Sequence, residues 1–348
     1  MNCMMRRTAD NRRPLRLIAS GPYAVVGPTA RLSASAGRSR AAGGTQAPWV
    51  SGVRARRRDT PRVNDIVTEL EALIRSDVIA RMGGDASGEL TALTLDSLII
   101  SYLNWRARFI PRRPRQVHLS HELLASAKYQ EHCTAIDAIA AKTAAGDDLA
   151  PHLSRGTRTA YQPTSSRRRR RADLDGLIAE WNIHHLHVTT TVEPDGYVTR
   201  TDDLLFAHFA EVDAYFIGVF PHGAWARSEI AEIVMRNWRD ARIFVPLQGG
   251  LRLAQIISDG DRQALRDAGV TTLLEVDGQV CVPAGSGQST ARTPMWATEQ
   301  ANALMHALRQ LRGAELPTST LVVDKDGDKF RVRDTTSGTV VWQVLIAR

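Results

Sequence analysis

Residues 181–222 read WNIHHLHVTTTVEPDGYVTRTDDLLFAHFAEVDAYFIGVFPH, and the reading of this stretch decides the fold. It carries five of the ten histidines of the 348-residue chain. Its β-branched and aromatic runs are broken by turn residues. Asp195-Gly196 separates a strand over His184–Thr191 from a returning strand at Tyr197. Glu211-Val212-Asp213 joins Asp203–Ala210 to Ala214–Phe220 in the same way. Short connections of this kind predict antiparallel hairpins.

Working outward, Asp173 stands ready to cap a short helix that buries Leu174, Leu177 and Ile178 and ends at Asn182. Downstream, Trp225–Trp238 has the helical apolar period, with Ile230, Ile233, Val234 and Trp238 inward. A strand at Arg242–Leu247 and a helix at Asp259–Ala268, stopped by Gly269, follow. Asp277-Gly278 marks a further hairpin, 283–294 is a Gly/Ser/Thr loop, and Trp296–Leu311 is a helix. Asp326-Gly327 and Ser337-Gly338 divide the last three strands into a meander.

Upstream, the apolar spacing of Ile66, Leu70, Leu73 and Ile74 predicts a helix stopped by Gly83-Gly84. A second apolar run covers Leu90–Leu103, and Ser120 caps a helical segment reaching Ala145, broken near Tyr129. The expected class is therefore α+β: a helical N-terminal part, then a mixed domain built on antiparallel β-hairpins. The expected division is 1–62 as a leader, 63–172 as a helical region with a basic linker, and 173–348 as the α+β domain with its C-terminal meander.

The net charge of +8 suggests a nucleic-acid partner until it is divided along the chain. Residues 1–62 hold thirteen Arg, no Lys and two acids, and 105–171 hold fourteen Lys or Arg against five acids. The rest is mildly acidic. Residues 1–62 have too little apolar surface to offset their ordering entropy, so disorder is expected there. Three readings of that leader are open: a twin-arginine export signal at Arg12-Arg13, a basic nucleic-acid tail, or translation from upstream of the true start codon. Cys3, Cys133 and Cys281 form no CxxC pair, which fits a reducing compartment. No run reaches the roughly eighteen apolar residues of a membrane helix, so a cytoplasmic protein without a membrane partner is expected.

Chemistry enters through the histidines. Side chains alternate along a strand, so His185 and His187 share a face while His184 points away. Two such histidines can hold zinc if Asp202, Asp203, His208 or His222 supplies a third ligand. A metal-free alternative is cleavage of RNA by its own 2′-hydroxyl, which needs a base, an acid and a cation on the phosphate. His185, His187 and His222 supply acid and base, and Arg200 the guanidinium. Phosphate contacts would then come from Arg106, Arg108, Arg112, Arg113 and Arg115, whose prolines favour an extended arm, and from Arg167, Arg168, Arg169, Arg170 and Arg171. The structural alternatives are a surface connection whose arginines pair with acids and a solvated arginine loop.

A short helix, a His-bearing strand, a Gly turn, Arg200, the run Asp203–Ala207 and Tyr215–His222 follow one another in an order that resembles the sheet core of RelE/HigB-type toxin ribonucleases. The resemblance covers about residues 173–240. It implies a metal-independent ribonuclease using Arg200 and His222. The wider stretch with Ile183-His184-His185-Leu186-His187 also resembles a group of bacterial proteins with no established activity. Such toxins are small and strongly basic, whereas this region is acidic and lies within a longer chain. Three functions remain open on the residues alone: a ribonuclease-like domain with an RNA partner and no cofactor, a non-enzymatic binding, defence or toxin–antitoxin component with a protein partner, and a metal-dependent hydrolase, with zinc as the candidate metal, built on His185 and His187.

Overall fold

The structure, a computed structural model, describes residues 63–85, 88–158, 161, 174–314 and 321–346. Residues 1–62, Arg167–Arg171 and Asp173 lie outside the described residues, and so do the expectations made for them. In chain order the helices and strands are α1 (Val63–Arg81), α2 (Glu89–Ala92), α3 (Leu95–Ala107), β1 (Gln116–Leu119), α4 (His121–Ala125) and α5 (Ala127–Ala145). Next come α6 (Gly176–Trp181), β2 (His184–His187), β3 (Asp203–Phe209), β4 (Asp213–Pro221), α7 (Ser228–Asn237) and β5 (Phe244–Pro246). Last are α8 (Asp259–Asp267), β6 (Leu274–Val276), β7 (Gln279–Pro283), α9 (Met295–Arg312), β8 (Leu321–Asp326), β9 (Lys329–Asp334) and β10 (Val340–Leu345). The protein is α+β. Among the described residues no helix is long and apolar enough to cross a membrane.

Two compact units divide these elements. Among the described residues the larger runs over Arg75–Asn302, and the smaller combines Val63–Ile74 with the described part of 303–346. The larger unit is built on a four-stranded sheet in the order β1-β4-β3-β2. β2, β3 and β4 are antiparallel neighbours, β3 and β4 through the short connection expected at Glu211-Val212-Asp213, but β1 lies parallel to β4. The stretch expected as a helical region with a basic linker thus also supplies an edge strand, which pairs across the boundary expected at 172/173. A parallel pair needs a long crossover, so its four residues leave no hairpin signal.

Alternation along β3 and β4 sends side chains to both faces. Leu205, Ala207, Ala214 and Phe216 meet Tyr129, Ile136 and Ile139 of α5 on one side. Leu204, Phe206, Ile217 and Phe220 meet Leu177, Trp181, Ile230 and Val234 on the other. The sheet is therefore buried on both faces, each core Leu, Ile or Phe contributing about 1.5–3 kcal/mol. A register shift between Phe206 and Ala207 leaves Ile217 as the extra residue on β4, and at the neighbouring Gly218 a Cβ would come 2.8 Å from Phe220 Cε2.

Helix ends follow the capping residues. Ser120 Oγ accepts from Leu123 N and Ser126 Oγ from Tyr129 N, so the expected break falls at Ser126. α5 stops at Gly146, at φ +80°, where a Cβ would lie 2.6 Å from the Pro114 backbone nitrogen. Gly146→Val therefore meets both a left-handed backbone and a backbone clash. We expect it to lower stability by about 2–4 kcal/mol, read as a shifted urea midpoint. A loss under 0.5 kcal/mol would show that the 113–114 segment yields.

Strands are shorter than expected around the turn at Asp195-Gly196. Only an isolated bridge, Val192 to Val198, forms where a second strand was expected from Tyr197. Arg155 takes the Asp195 carboxylate at 2.8 Å, and Arg158 lies 4.3 Å over the Tyr197 ring. These partners, and a bond from Val198 N to Pro151 O, draw the segment away from pairing with β2.

A second sheet in the larger unit, in the order β5-β7-β6, turns at Asp277 and Gly278, both at positive φ. Cys281 is fully buried there, and burial pushes its thiol up to about 11, so it acts as core packing. The smaller unit contains the antiparallel meander β8-β9-β10, with Phe330 and Val332 buried and Arg331 bridging Asp324 and Asp326.

Candidate active site

The chain enters the candidate site through α6. Asp175, two residues beyond the position expected to cap, accepts from Leu177 N and Ile178 N with Oδ1, both at 3.1 Å. Asn182 closes the helix at φ +56°, as expected, and turns the chain into β2. His185 and His187 pair opposite Phe206 and Leu204, so they share one face of the sheet, while His184 opposes Ala207. His184 packs edge-on to Phe209, 5.6 Å away, and its Nε2 lies 3.1 Å from Ala107 O.

His185 lies behind α6, with its Nδ1 3.7 Å from Asp175 Oδ2. That is too long for a hydrogen bond, and among the described residues Nδ1 has no hydrogen-bond partner. One carboxylate thus caps α6 with one oxygen and faces the imidazole with the other. Burial lowers the His185 pKa, Asp175 pulls it back up, and the charge of His222 lowers it further. Trp225 stacks on Phe206 at 5.5 Å and contacts both histidines: its ring lies 4.7 Å from His185 and 5.0 Å from His222.

His187 is set differently. The backbone N–H of Thr201 donates to its Nδ1 at 3.0 Å, so the neutral ring carries its proton on Nε2. Burial, then the charges of His185 and Arg200, lower its pKa to about 4. A histidine that titrates lower in the folded than in the unfolded state adds stability above the unfolded value and loses it on acidification. The depression to about 4 predicts a loss of about 3 kcal/mol as pH falls from about 6.5 to 4. Urea titrations across that window should show the slope, flattened in His187→Gln; an unchanged slope in the variant would assign it elsewhere. Burial also lowers His152, whose Nδ1–H donates to the carbonyl of His187 at 3.1 Å, so it acts in the same direction.

Of the four sequence-predicted residues, His187 falls within electrostatic reach of His185, Arg200 and His222, and His185 within reach of His222, with Arg200 and His222 exposed. The zinc expectation fares otherwise. Asp203 points to the opposite face, where its Oδ2 accepts from Lys128 Nζ at 2.6 Å and lies 2.9 Å from His132 Nε2. His208 Nδ1 is turned to Asn182 O. Among the described residues the donor atoms that converge for a metal are those of Glu131, His132 and Asp203, not of His185 and His187. Lys128 already supplies the cation there.

The proline-rich arginines also differ from the expected arm. Helix α3 runs through Ala107, and Arg106 Nη1 donates to Tyr102 Oη at 3.1 Å. Arg108 is buried and donates to Gly156 O at 2.7 Å. Arg115 is buried over Phe209 and donates to Ala210 O and Pro111 O at 2.7 and 2.9 Å. Arg112 pairs with Asp148 and Arg113 with Glu211. A hydroxyl, backbone carbonyls and acids take donors of these arginines, and Arg113 and Arg115 brace the β3–β4 turn; buried Arg108 and Arg115 are withdrawn from any phosphate backbone.

Sequence reasoning missed Asp175, Trp225 and the arginines of α8. Arg262 and Arg266 are buried on a helix with almost no apolar face. That was the available signal, because such a helix has little else to pack. Arg266 lies 4.4 Å over the Trp181 ring, pairs with the fully buried Glu180 and donates to Trp225 O. Two cavities meet at the site. One of about 210 Å³ is lined by Asp175, His185, Trp225, Gln263, Arg266 and Arg292, among others. The second, of about 100 Å³, shares Leu174, Asp175 and His185 with it and extends to Arg108 and Thr157. No family model, curated protein or solved structure matches the chain.

Proposed function

We propose that this cleft carries out metal-independent cleavage of a phosphodiester in RNA. The observation that carries the reading is the gathering of His185 and His222 against the Trp225 ring, with the Asp175 carboxylate beside the first and Arg200 within electrostatic reach of neighbouring His187. Histidines kept for packing alone would be enclosed by apolar neighbours, whereas His185 lines both cavities. Buried and shifted toward its neutral form, His185 takes the proton of the 2′-hydroxyl as the O2′–P bond forms. The P–O5′ bond breaks, and His222 gives its proton to the departing oxygen. Arg200 faces the charge that builds on the phosphorane. The order of parts that resembles the RelE/HigB-type core supports the same assignment.

Labelled RNA incubated with the full chain in EDTA should be cleaved, and His222→Ala and Arg200→Ala should each slow cleavage about 100-fold or more. Activity lost in EDTA and restored by zinc would replace this mechanism with a metal-dependent one. An inactive wild-type protein would favour the binding-protein reading.

A further inference from the structure

The larger cavity carries polar groups that the catalytic scheme leaves unused. Arg266 is 1% exposed, and two of its nitrogens are taken by Glu180 and Trp225 O. Its third, Nη2, is buried and has no hydrogen-bond partner among the described residues. An unmet guanidinium donor in a buried position is costly, so it calls for an acceptor supplied by water or by a ligand. Gly176 makes room for it: a Cβ there would come 2.9 Å from Arg266 Cδ.

Two further groups on the same wall are in the same condition. Arg292 holds Asp267 through Nη2 at 2.8 Å, but its Nε is buried and unmet, as is Gln263 Oε1. Arg292 also sits at φ +64°, a left-handed backbone that a non-glycine residue adopts at a cost and that concentrates at ligand sites. The cavity is thus lined by two arginines that each keep an unmet donor and by a glutamine that keeps an unmet acceptor, and His185 lines it too.

Charge chooses between oxyanions. Glu180 balances Arg266 and Asp267 balances Arg292, which leaves Asp175 facing the cavity. A phosphate dianion would be repelled by that carboxylate, whereas a single negative charge spread over two oxygens can be met by two donors. At about 210 Å³ the cavity is smaller than the roughly 300–1,000 Å³ typical of drug-sized ligands, and suits one such group with its adjoining hydroxyl.

We propose that Arg266 Nη2 and Arg292 Nε form a binding subsite for a phosphodiester monoanion, with Gln263 Oε1 accepting from a neighbouring ribose hydroxyl. The choice of phosphodiester rests on the proposed cleavage reaction; the anion site itself rests on the unmet donors. It also accounts for how an acidic domain holds an RNA phosphate when the arginines at 106–115 are occupied.

The test is titration of the full chain with dimethyl phosphate, a monoanionic diester, followed by calorimetry and by chemical shifts of the tryptophan indoles. Inorganic phosphate and acetate are run beside it. Saturable binding of the diester, tighter than either comparison anion and weakened at least tenfold by Arg292→Gln, is the expected result. Arg266→Lys keeps a cation for Glu180 while removing Nη2, and a folded Arg266→Lys should show the same loss. No saturable binding, equal binding of acetate, or binding untouched by both substitutions would overturn the subsite. His222→Ala separates the two claims: it should retain diester binding and lose cleavage. Binding without cleavage in the wild type would sink the catalytic reading and leave the subsite standing.

Discussion

Replacing His185 with Ala is expected to reduce RNA cleavage by about 10²–10⁴-fold, the range for losing a positioned general base. The effect should fall on kcat, because the base acts on a proton only as the transition state forms. Asp175 separates this role from folding. Its Oδ1 caps α6 while its Oδ2 faces the imidazole, so Asp175→Ser keeps a capping oxygen and removes the carboxylate. That variant should stay within about 1 kcal/mol of the parent in stability and still lose at least tenfold in rate. An Asp175→Ser protein that unfolds early but cleaves normally would mean that the residue serves the helix alone.

The second large effect concerns the buried pair of Glu180 and Arg266. Both side chains are essentially inaccessible, and each is held by a further bond: Thr272 N donates to Glu180 Oε1 at 3.3 Å, and Arg266 Nη1 donates to Trp225 O. Removing one partner leaves the other charge buried and uncompensated, which costs about 3–5 kcal/mol. Glu180→Gln is expected to lower stability by that amount in urea unfolding. Replacing both residues together with apolar ones, Glu180→Leu with Arg266→Met, should recover much of the loss, since two desolvation costs disappear at once. A double variant no more stable than Glu180→Gln would show that the pair holds α6 against α8 by something other than charge. The same double variant removes Nη2, so it should also lose diester binding.

How far the fold was legible depends on whether each element is specified locally. The hairpin of β3 and β4, the turn at Asp277-Gly278, the amphipathic α7 and the terminal meander all follow from patterns within a dozen residues, and all form. β1 does not, because its partner β4 lies about 100 residues away and four residues carry no period. The strand expected at Tyr197 failed for a related reason: local β-propensity lost to distant arginines, Arg155 and Arg158, which claim Asp195 and the Tyr197 ring.

The site was legible in part. Period-two alternation put His185 and His187 on one face, and they share it. What no spacing revealed was the partner of each group. Arginine reads as charge in a sequence, yet Arg108 and Arg115 spend their donors on carbonyls, while Arg266 keeps one donor unmet. Asp203 looked equivalent to Asp202 as a ligand candidate, but strand parity turns it to Lys128 and His132.

The central claim is that a ribose 2′-hydroxyl attacks its own phosphate in this cleft. The most direct measurement compares, in EDTA, an RNA oligonucleotide with the same sequence carrying one 2′-deoxyribose at the cleaved position. The account predicts a 2′,3′-cyclic phosphate end from the first and no cleavage at that position in the second. Equal cleavage of both would contradict it, because the attacking oxygen would then come from water.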